Sequence, residues 1–459
     1  MFFESVIVAK FMKNETFFPS NFLVCSITSI LFILTLPPFR QSWLAGIALV
    51  PLLLLIKREN SFLKNFLLGT LAWFPYCAIG LRWLIYFDIW TYLDALVSHL
   101  PFLGMFLGFT GLILKKFPEN IFAHFLIPAV VWMCLSLIYD LTPLSAAGTQ
   151  ALFYQPIEWM ETARFFGVYW VVFLFLMLNA SIAFIFKFRS NIRFIPLLLS
   201  VVLLIGNFLW GKKALAETFP AAQKVALIQH NLPVYEKWWD QNQGYIMNRY
   251  RALALEAAKG KPEVIIFPSF ALPIDAYRNP NFFGELARET GSYILVSTYI
   301  PKIPNQPIPK VGQYEVAILY SPKAEISGVY RAVQAPPFRK INEVLTQETD
   351  ILESPLGKIG VLLCFEDTLS RHAKAEVKKG AQVLVAISNP GHFTKTFMPG
   401  YHLYQDQLRA IETGRFVIRV SANGYSAVID PRGRIVKHTE LGKQQILYGE
   451  LPSFGNKTI

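Results

Sequence analysis

The sequence predicts a polytopic α-helical membrane bundle followed by a soluble α/β layered domain. Three observations carry that prediction. The 459-residue chain is 53% hydrophobic with a mean hydropathy of +0.38 and only 16% charged residues, more apolar than a water-soluble protein of this size requires. The apolar excess is confined to residues 1–210, which form a near-continuous series of hydrophobic segments. Residues 215–459 carry ordinary charge density and alternate strand-like with helix-like stretches. The shift falls near Gly211-Lys212-Lys213, so a membrane domain of about seven helices is expected over 1–212 and a soluble domain over 213–459.

Seven segments in the first half approach the length needed to cross about 30 Å of hydrocarbon: roughly 20–37, 43–56, 65–81, 96–114, 119–138, 165–186 and 192–210. The second is short and needs Trp43 and its flanks to complete it. The first is not a cleaved leader, because further spans follow directly and no small-residue cleavage site ends it. Alternate connections are basic, with Lys10 and Lys13, then Lys57, Arg58 and Lys64, then Lys115 and Lys116, then Lys187, Arg189 and Arg193. The opposite set holds Arg40, Arg82 and Arg164 beside Asp88, Asp94, Asp140, Glu158 and Glu161. The positive-inside rule puts the N-terminus in the cytoplasm, and seven crossings put the large C-terminal domain on the far side. Trp83, Trp90 and Trp159 fall near span ends, where aromatics anchor at the interface.

In the soluble half, strands are expected at 224–228, 263–267, 293–299, 314–320, 359–363, 383–387, 416–421, 426–429 and 446–450. Helices are expected at 239–259, 282–290, 369–379 and 401–413. This alternation argues for an αββα sandwich with ligands bound beyond the strand ends. Ser269, Cys364 and Asn389 each follow an apolar strand directly, which favours one shared pocket. The run Ile359-Gly-Val-Leu-Leu-Cys364-Phe-Glu366-Asp presents a thiol at a strand terminus. Cys364 reads either as a small buried hydrophobe or as a nucleophile.

Cysteine usage bears on that choice. Cys25, Cys77 and Cys134 fall in membrane segments and read as packing residues, which leaves Cys364 alone in the exported domain. A lone cysteine forms no internal disulfide, and a free thiol in an oxidising compartment is unusual unless buried or used. No Cys/His spacing suggests zinc, and no glycine-rich phosphate loop suggests a nucleotide, so no metal or cofactor is expected. The net charge of +12 and pI near 9.4 come from the loops and a basic soluble domain. Without a clustered basic motif they point to anionic phospholipid headgroups rather than nucleic acid. Glu366 and Asp367 read either as solvated strand-end charges or as caps of the following helix. Trp238 and Trp239 read as interface anchors or substrate contacts, Ser388-Asn389 as a turn, and His402 and Tyr404 as packing.

Several ordered motifs carry a family resemblance: Gln229-His-Asn231, Lys237-Trp238, Phe267-Pro268-x-x-Ala271-x-Pro273, Pro337-Phe338, Cys364-Phe365-Glu366-Asp and Ile387-Ser388-Asn389. His402 to Gly414 and Ala422-Asn423-Gly424 through Asp430-Pro-Arg-Gly continue it, and Leu36-Pro-Pro-Phe39 and Gly80-Leu-Arg-Trp83 extend it into the membrane half. The chain resembles apolipoprotein N-acyltransferase, a membrane branch of the nitrilase (carbon-nitrogen hydrolase) superfamily. The resemblance implies a nitrilase-like soluble domain on the periplasmic side of the bacterial inner membrane. It implies phospholipid and diacylated lipoprotein as partners, and acyl transfer through a Cys364 thioester to the lipoprotein amine. In this chemistry a Glu takes the thiol proton and a Lys supports the oxyanion. Trp238, Asn231, Phe365, Ser388 and Asn389 are the implied substrate contacts.

The chain departs from that pattern where the chemistry needs it. Ser269 occupies the position of the family Glu and Ala332 that of the family Lys. Lys340 replaces a second Glu, and His392 replaces a Trp. Cys364, Glu366 and Trp238 are retained. An unperturbed thiol is only a few per cent ionised at neutral pH, and each lost group is worth roughly 10²–10⁴-fold. Catalysis is therefore expected to be degenerate. Alternatively, an acid–base set rearranged around Arg331, Arg339, Lys340, Glu366 or His392 keeps the enzyme active, or the protein binds lipid and lipoprotein without turnover. The family typically returns to the membrane after the soluble domain. Here Leu451 to Ile459 contains no such helix, so tethering at one side only is expected.

Overall fold

The computed structural model describes residues 18–140, 156–188, 191–232, 243–269, 280–300, 314–334, 350–391 and 393–453. The chain forms two compact units, residues 1–155 with 169–208, and residues 156–168 with 209–459.

Among the described residues of the N-terminal half, five helices are long and apolar enough to cross a membrane: Phe62–Gly80, Ile89–Leu114, Ile121–Asp140, Val168–Lys187 and Phe194–Ala214. The first two expected segments are shorter apolar helices. The second breaks into a 3-10 turn, Ser42–Gly46, and a helix, Val50–Leu54, that restarts with Pro51 in its first turn. Helices Phe62–Gly80 and Pro101–Leu114 pack backbone to backbone, because a Cβ on Gly69 would collide with the Leu103 carbonyl and one on Gly104 with that of Phe66.

The described residues of the second unit form two six-stranded sheets. One is built from β1 (Gln223–Gln229), β2 (Val264–Ile266), β3 (Tyr293–Ile300), β4 (Tyr314–Tyr320), β5 (Ile326–Arg331) and β12 (Gln445–Leu451), in the order β12-β1-β2-β3-β4-β5. The other contains β6 (Leu352–Ser354), β7 (Gly357–Leu363), β8 (Val383–Ser388), β9 (Phe416–Ser421), β10 (Ala427–Ile429) and β11 (Ile435–His438), in the order β11-β10-β9-β8-β7-β6. Alternation along each strand sorts the side chains into two layers. Val225, Leu227, Ile266, Ala317, Val361 and Val385 meet between the sheets. The alternate residues Ala226, Ile265 and Val316 face helices Gln243–Ala258 and Pro280–Thr290. Leu362 and Leu384 face helices Ser370–Lys378 and Met398–Thr413. The result is an αββα sandwich. Each fully buried aliphatic side chain contributes roughly 1.5–3 kcal/mol.

Candidate active site

Strand β7 places Ile359, Val361 and Leu363 in the core between the sheets. Immediately after Leu363 the backbone turns to φ +50° at Cys364 and enters a 3-10 turn, Cys364–Thr368. A β-carbon in the left-handed region costs of the order of 1–3 kcal/mol and persists only where the surroundings impose it. Here the imposing group is Glu366. Its Oε2 accepts from the Leu363 amide at 2.8 Å and the Tyr330 hydroxyl at 2.7 Å. Its Oε1 accepts from the amides of Val333 at 2.8 Å and Gln334 at 3.1 Å. One fully buried carboxylate thus clamps the Cys364 turn of the second sheet to the chain leaving β5 in the first. His372 lies 2.8 Å from the Tyr330 hydroxyl. Burial works against its charge, but the Glu366 and Glu376 carboxylates outweigh burial and hold its pKa above the ordinary value.

The reading of Glu366 and Asp367 as solvated charges is overturned, since both side chains are buried. Asp367 accepts from Arg419 Nη1 at 2.8 Å and faces His402 Nδ1 at 2.8 Å. Arg419 also donates to Asp406 at 2.6 Å and to the Ser388 hydroxyl at 2.8 Å. Burial alone would raise Asp367, but His402 and Arg419 together hold it below the usual carboxylate range. Asp406, buried against the same guanidinium, is pushed up to about 7. His402 is therefore part of a buried polar network under the cysteine turn, not simply packing. Ser388 is more than a turn residue, because its hydroxyl is committed to Arg419.

Ser269, at the end of β2, is fully buried and donates to Glu315 Oε1 at 3.1 Å. Ala332 donates its amide to the Glu315 carbonyl at 3.0 Å, one residue before the amide that Glu366 holds. Arg331 does not reach this space. Its neighbours Tyr330 and Ala332 point between the sheets, so Arg331 points away and pairs with Asp350 at 3.2 Å.

Parallel pairing sets Leu363 beside Ile387, so Cys364 and Ser388 leave adjacent strands side by side. Asn389 follows, its Oδ1 accepting from the Gly391 amide at 3.3 Å. Phe365 is half-buried in the cysteine turn and its carbonyl accepts from Thr368 Oγ1. Asn231, at φ +50°, ties the end of β1 to the turn after β9 through Asn423 and Ala422. Trp238, Arg339, Lys340 and His392 lie outside the described residues. Sequence reasoning missed Glu315, Tyr330, His372, Asp406 and Arg419. Two carried a readable signal: a lone charge inside an apolar strand, in Tyr-Glu315-Val-Ala-Ile-Leu-Tyr and Phe-Val-Ile-Arg419-Val-Ser.

Residues 224–454 match the carbon-nitrogen hydrolase family, and residues 28–181 match the apolipoprotein N-acyltransferase N-terminal domain. An apolipoprotein N-acyltransferase from Gloeobacter violaceus is 27% identical over 443 residues, covering 88% of this chain and 83% of that protein. One from Geobacter metallireducens is 25% identical over 478 residues, covering 94% of this chain and 89% of that protein. A solved carbon-nitrogen hydrolase from Helicobacter pylori is 16% identical, covers 50% of this chain and 88% of its own, and superposes with a TM-score of 0.43. With one family matched across the membrane half and the other across the sandwich that carries Cys364, the chain belongs to the apolipoprotein N-acyltransferase family, the membrane branch of the carbon-nitrogen hydrolases.

Proposed function

We propose that this protein acts in bacterial lipoprotein maturation, taking an acyl chain from a phospholipid as a Cys364 thioester and passing it to the N-terminal amine of a diacylated lipoprotein. The observation that carries this reading is the Cys364 turn, held at φ +50° by the four hydrogen bonds of Glu366. Such strain is maintained only by a surrounding structure that aims the residue, here a half-exposed thiol at a strand end. The names of the relatives supply the substrate class. Glu366 acts as a positioning residue, because donors from both sheets occupy its oxygens. Turnover is slow: Ala332 leaves the oxyanion without its cation, a loss of roughly 10²–10³-fold. The alternating loop charges favour an inner-membrane setting with a cytoplasmic N-terminus and the sandwich in the periplasm.

The test is acyl capture by the purified full-length chain. Incubation with vesicles of phospholipid carrying a labelled acyl chain should build up a hydroxylamine-labile label on Cys364 over hours, absent in Cys364→Ala. Folded protein that stays unlabelled would instead be a degenerate family member, a non-catalytic lipid and lipoprotein binder.

A further inference from the structure

We propose that Ser269 and Glu315 together supply the base for Cys364, the Ser269 hydroxyl passing the thiol proton to the Glu315 carboxylate. The inference rests on the acyl-transfer reading for its purpose, but on the geometry for its parts. Along β4, Val316 and Ile318 face the helices, whereas Ala317 and Leu319 lie between the sheets. Alternation therefore points Glu315 between the sheets, where only 6% of it is exposed. Antiparallel pairing of Val316 with Arg331 sets Glu315 opposite Ala332, so a carboxylate faces the position that offers only a methyl group. The Ser269 hydroxyl donates to that carboxylate at 3.1 Å. A hydroxyl that gives its proton away keeps two lone pairs for a second donor, and a charged acceptor behind it strengthens them. Glu366 holds the amide next to Ala332 and the amide before Cys364 on one carboxylate, which brings the cysteine turn against the same rim.

Serine is too short and too weakly basic to replace a glutamate alone. With Glu315 behind it, the pair spans the missing length and restores the missing charge. In the acylation half, the Cys364 sulfur forms a bond to the ester carbonyl carbon of the phospholipid. Its proton moves to Ser269 Oγ while the Ser269 proton moves to Glu315. The ester C–O bond then breaks, and the departing lysophospholipid oxygen recovers the proton by the reverse route. In the transfer half, the lipoprotein amine attacks the thioester, the C–N bond forms and the C–S bond breaks. The excess amine proton returns through the pair to the sulfur. No electrons are exchanged, and the resting groups are regenerated.

The experiment is alkylation of Cys364 by iodoacetamide in the full-length chain in detergent, read at that residue by mass spectrometry across pH 4–10. Wild type should show an acid limb in the carboxylate range. Glu315→Gln and Ser269→Ala should each move the limb to near the ordinary thiol value of about 8.5 and slow alkylation at pH 7 roughly 10²-fold. The double variant should be no slower than either single one, because the two act as a unit. Folded single variants with an unchanged limb would overturn the proposal, and Ser269→Ala alone decides it where Glu315→Gln does not fold. Alkylation needs no lipid, so the readings separate. A chain with the low limb that never forms a thioester keeps the relay and loses the acyl-transfer function.

Discussion

Four donors converge on Glu366 from both sheets, and a carboxylate is the one side chain of that length that accepts from all of them. Glu366→Gln replaces one oxygen by an NH₂ group and sets it against backbone amides that have no other direction to point. Leaving buried donors unpaired costs about 1–3 kcal/mol each, so the variant should lose about 3 kcal/mol or more in chemical denaturation. Freed of its clamp, Cys364 should also lose the reactivity that the turn confers. An unchanged midpoint would show that the turn holds itself. At this scale the sequence disclosed the candidate nucleophile but not its support. Cys364 stood out by its place after an apolar run, whereas three of the four partners of Glu366 sit more than 30 residues away, at Tyr330, Val333 and Gln334. Glu315 was hidden for a different reason. It lies on β4, two strands along the sheet from β2 and 46 residues from Ser269, so motif comparison registers only the loss at Ser269.

Strand β9 and helix Met398–Thr413 meet through Arg419, which links two carboxylates and a hydroxyl under the cysteine turn. Its guanidinium is fully buried. Arg419→Met keeps the volume and removes the charge, leaving Asp367 and Asp406 buried, with the His402 ring still against Asp367. Breaking a buried pair in this way costs about 3–5 kcal/mol, read as a drop in the melting temperature of the C-terminal unit. Adding Asp406→Asn should recover part of the loss, since it removes one of the stranded carboxylates. A melting temperature unmoved by Arg419→Met would mean that the network adds nothing to stability. The long apolar strands on either side were legible because β-branched runs bounded by glycine have few other uses. Three strands were not. β5 reads Ile-Ser-Gly-Val-Tyr-Arg, half polar with a glycine inside, and β6 and β11 have three and four residues, too short for a pattern to establish itself. They form because neighbouring strands supply partners, which is tertiary context and not propensity.

For the molecule as a whole, the segment 156–168 constrains the path of the chain through the membrane. It lies in sequence between Ile121–Asp140 and Val168–Lys187, yet it belongs to the same compact unit as the sandwich. Arg432 joins the two, donating to Glu161 at 3.1 Å and pairing with Glu217. Burial pushes the Glu161 carboxyl up to about 7 despite that arginine, so this is an inward-facing contact and not a loose surface pair. Two helices long enough to cross, Val168–Lys187 and Phe194–Ala214, separate the segment from the sandwich. An even number of crossings returns the chain to the side it left. The connection between those helices carries Lys187 and Arg193, and the orientation proposed above, from the positive-inside rule, assigns it to the cytoplasmic side. An epitope inserted after Gln155 and another fused at the C-terminus should therefore both be reached by antibody in intact spheroplasts, while one placed between Lys187 and Arg193 should be reached only after lysis. Protection of the first two with exposure of the third would reverse the orientation and put Cys364 in the cytoplasm. Different sides for the first two would mean that one of the two intervening helices does not cross, and would break the unit that joins Glu161 to Arg432.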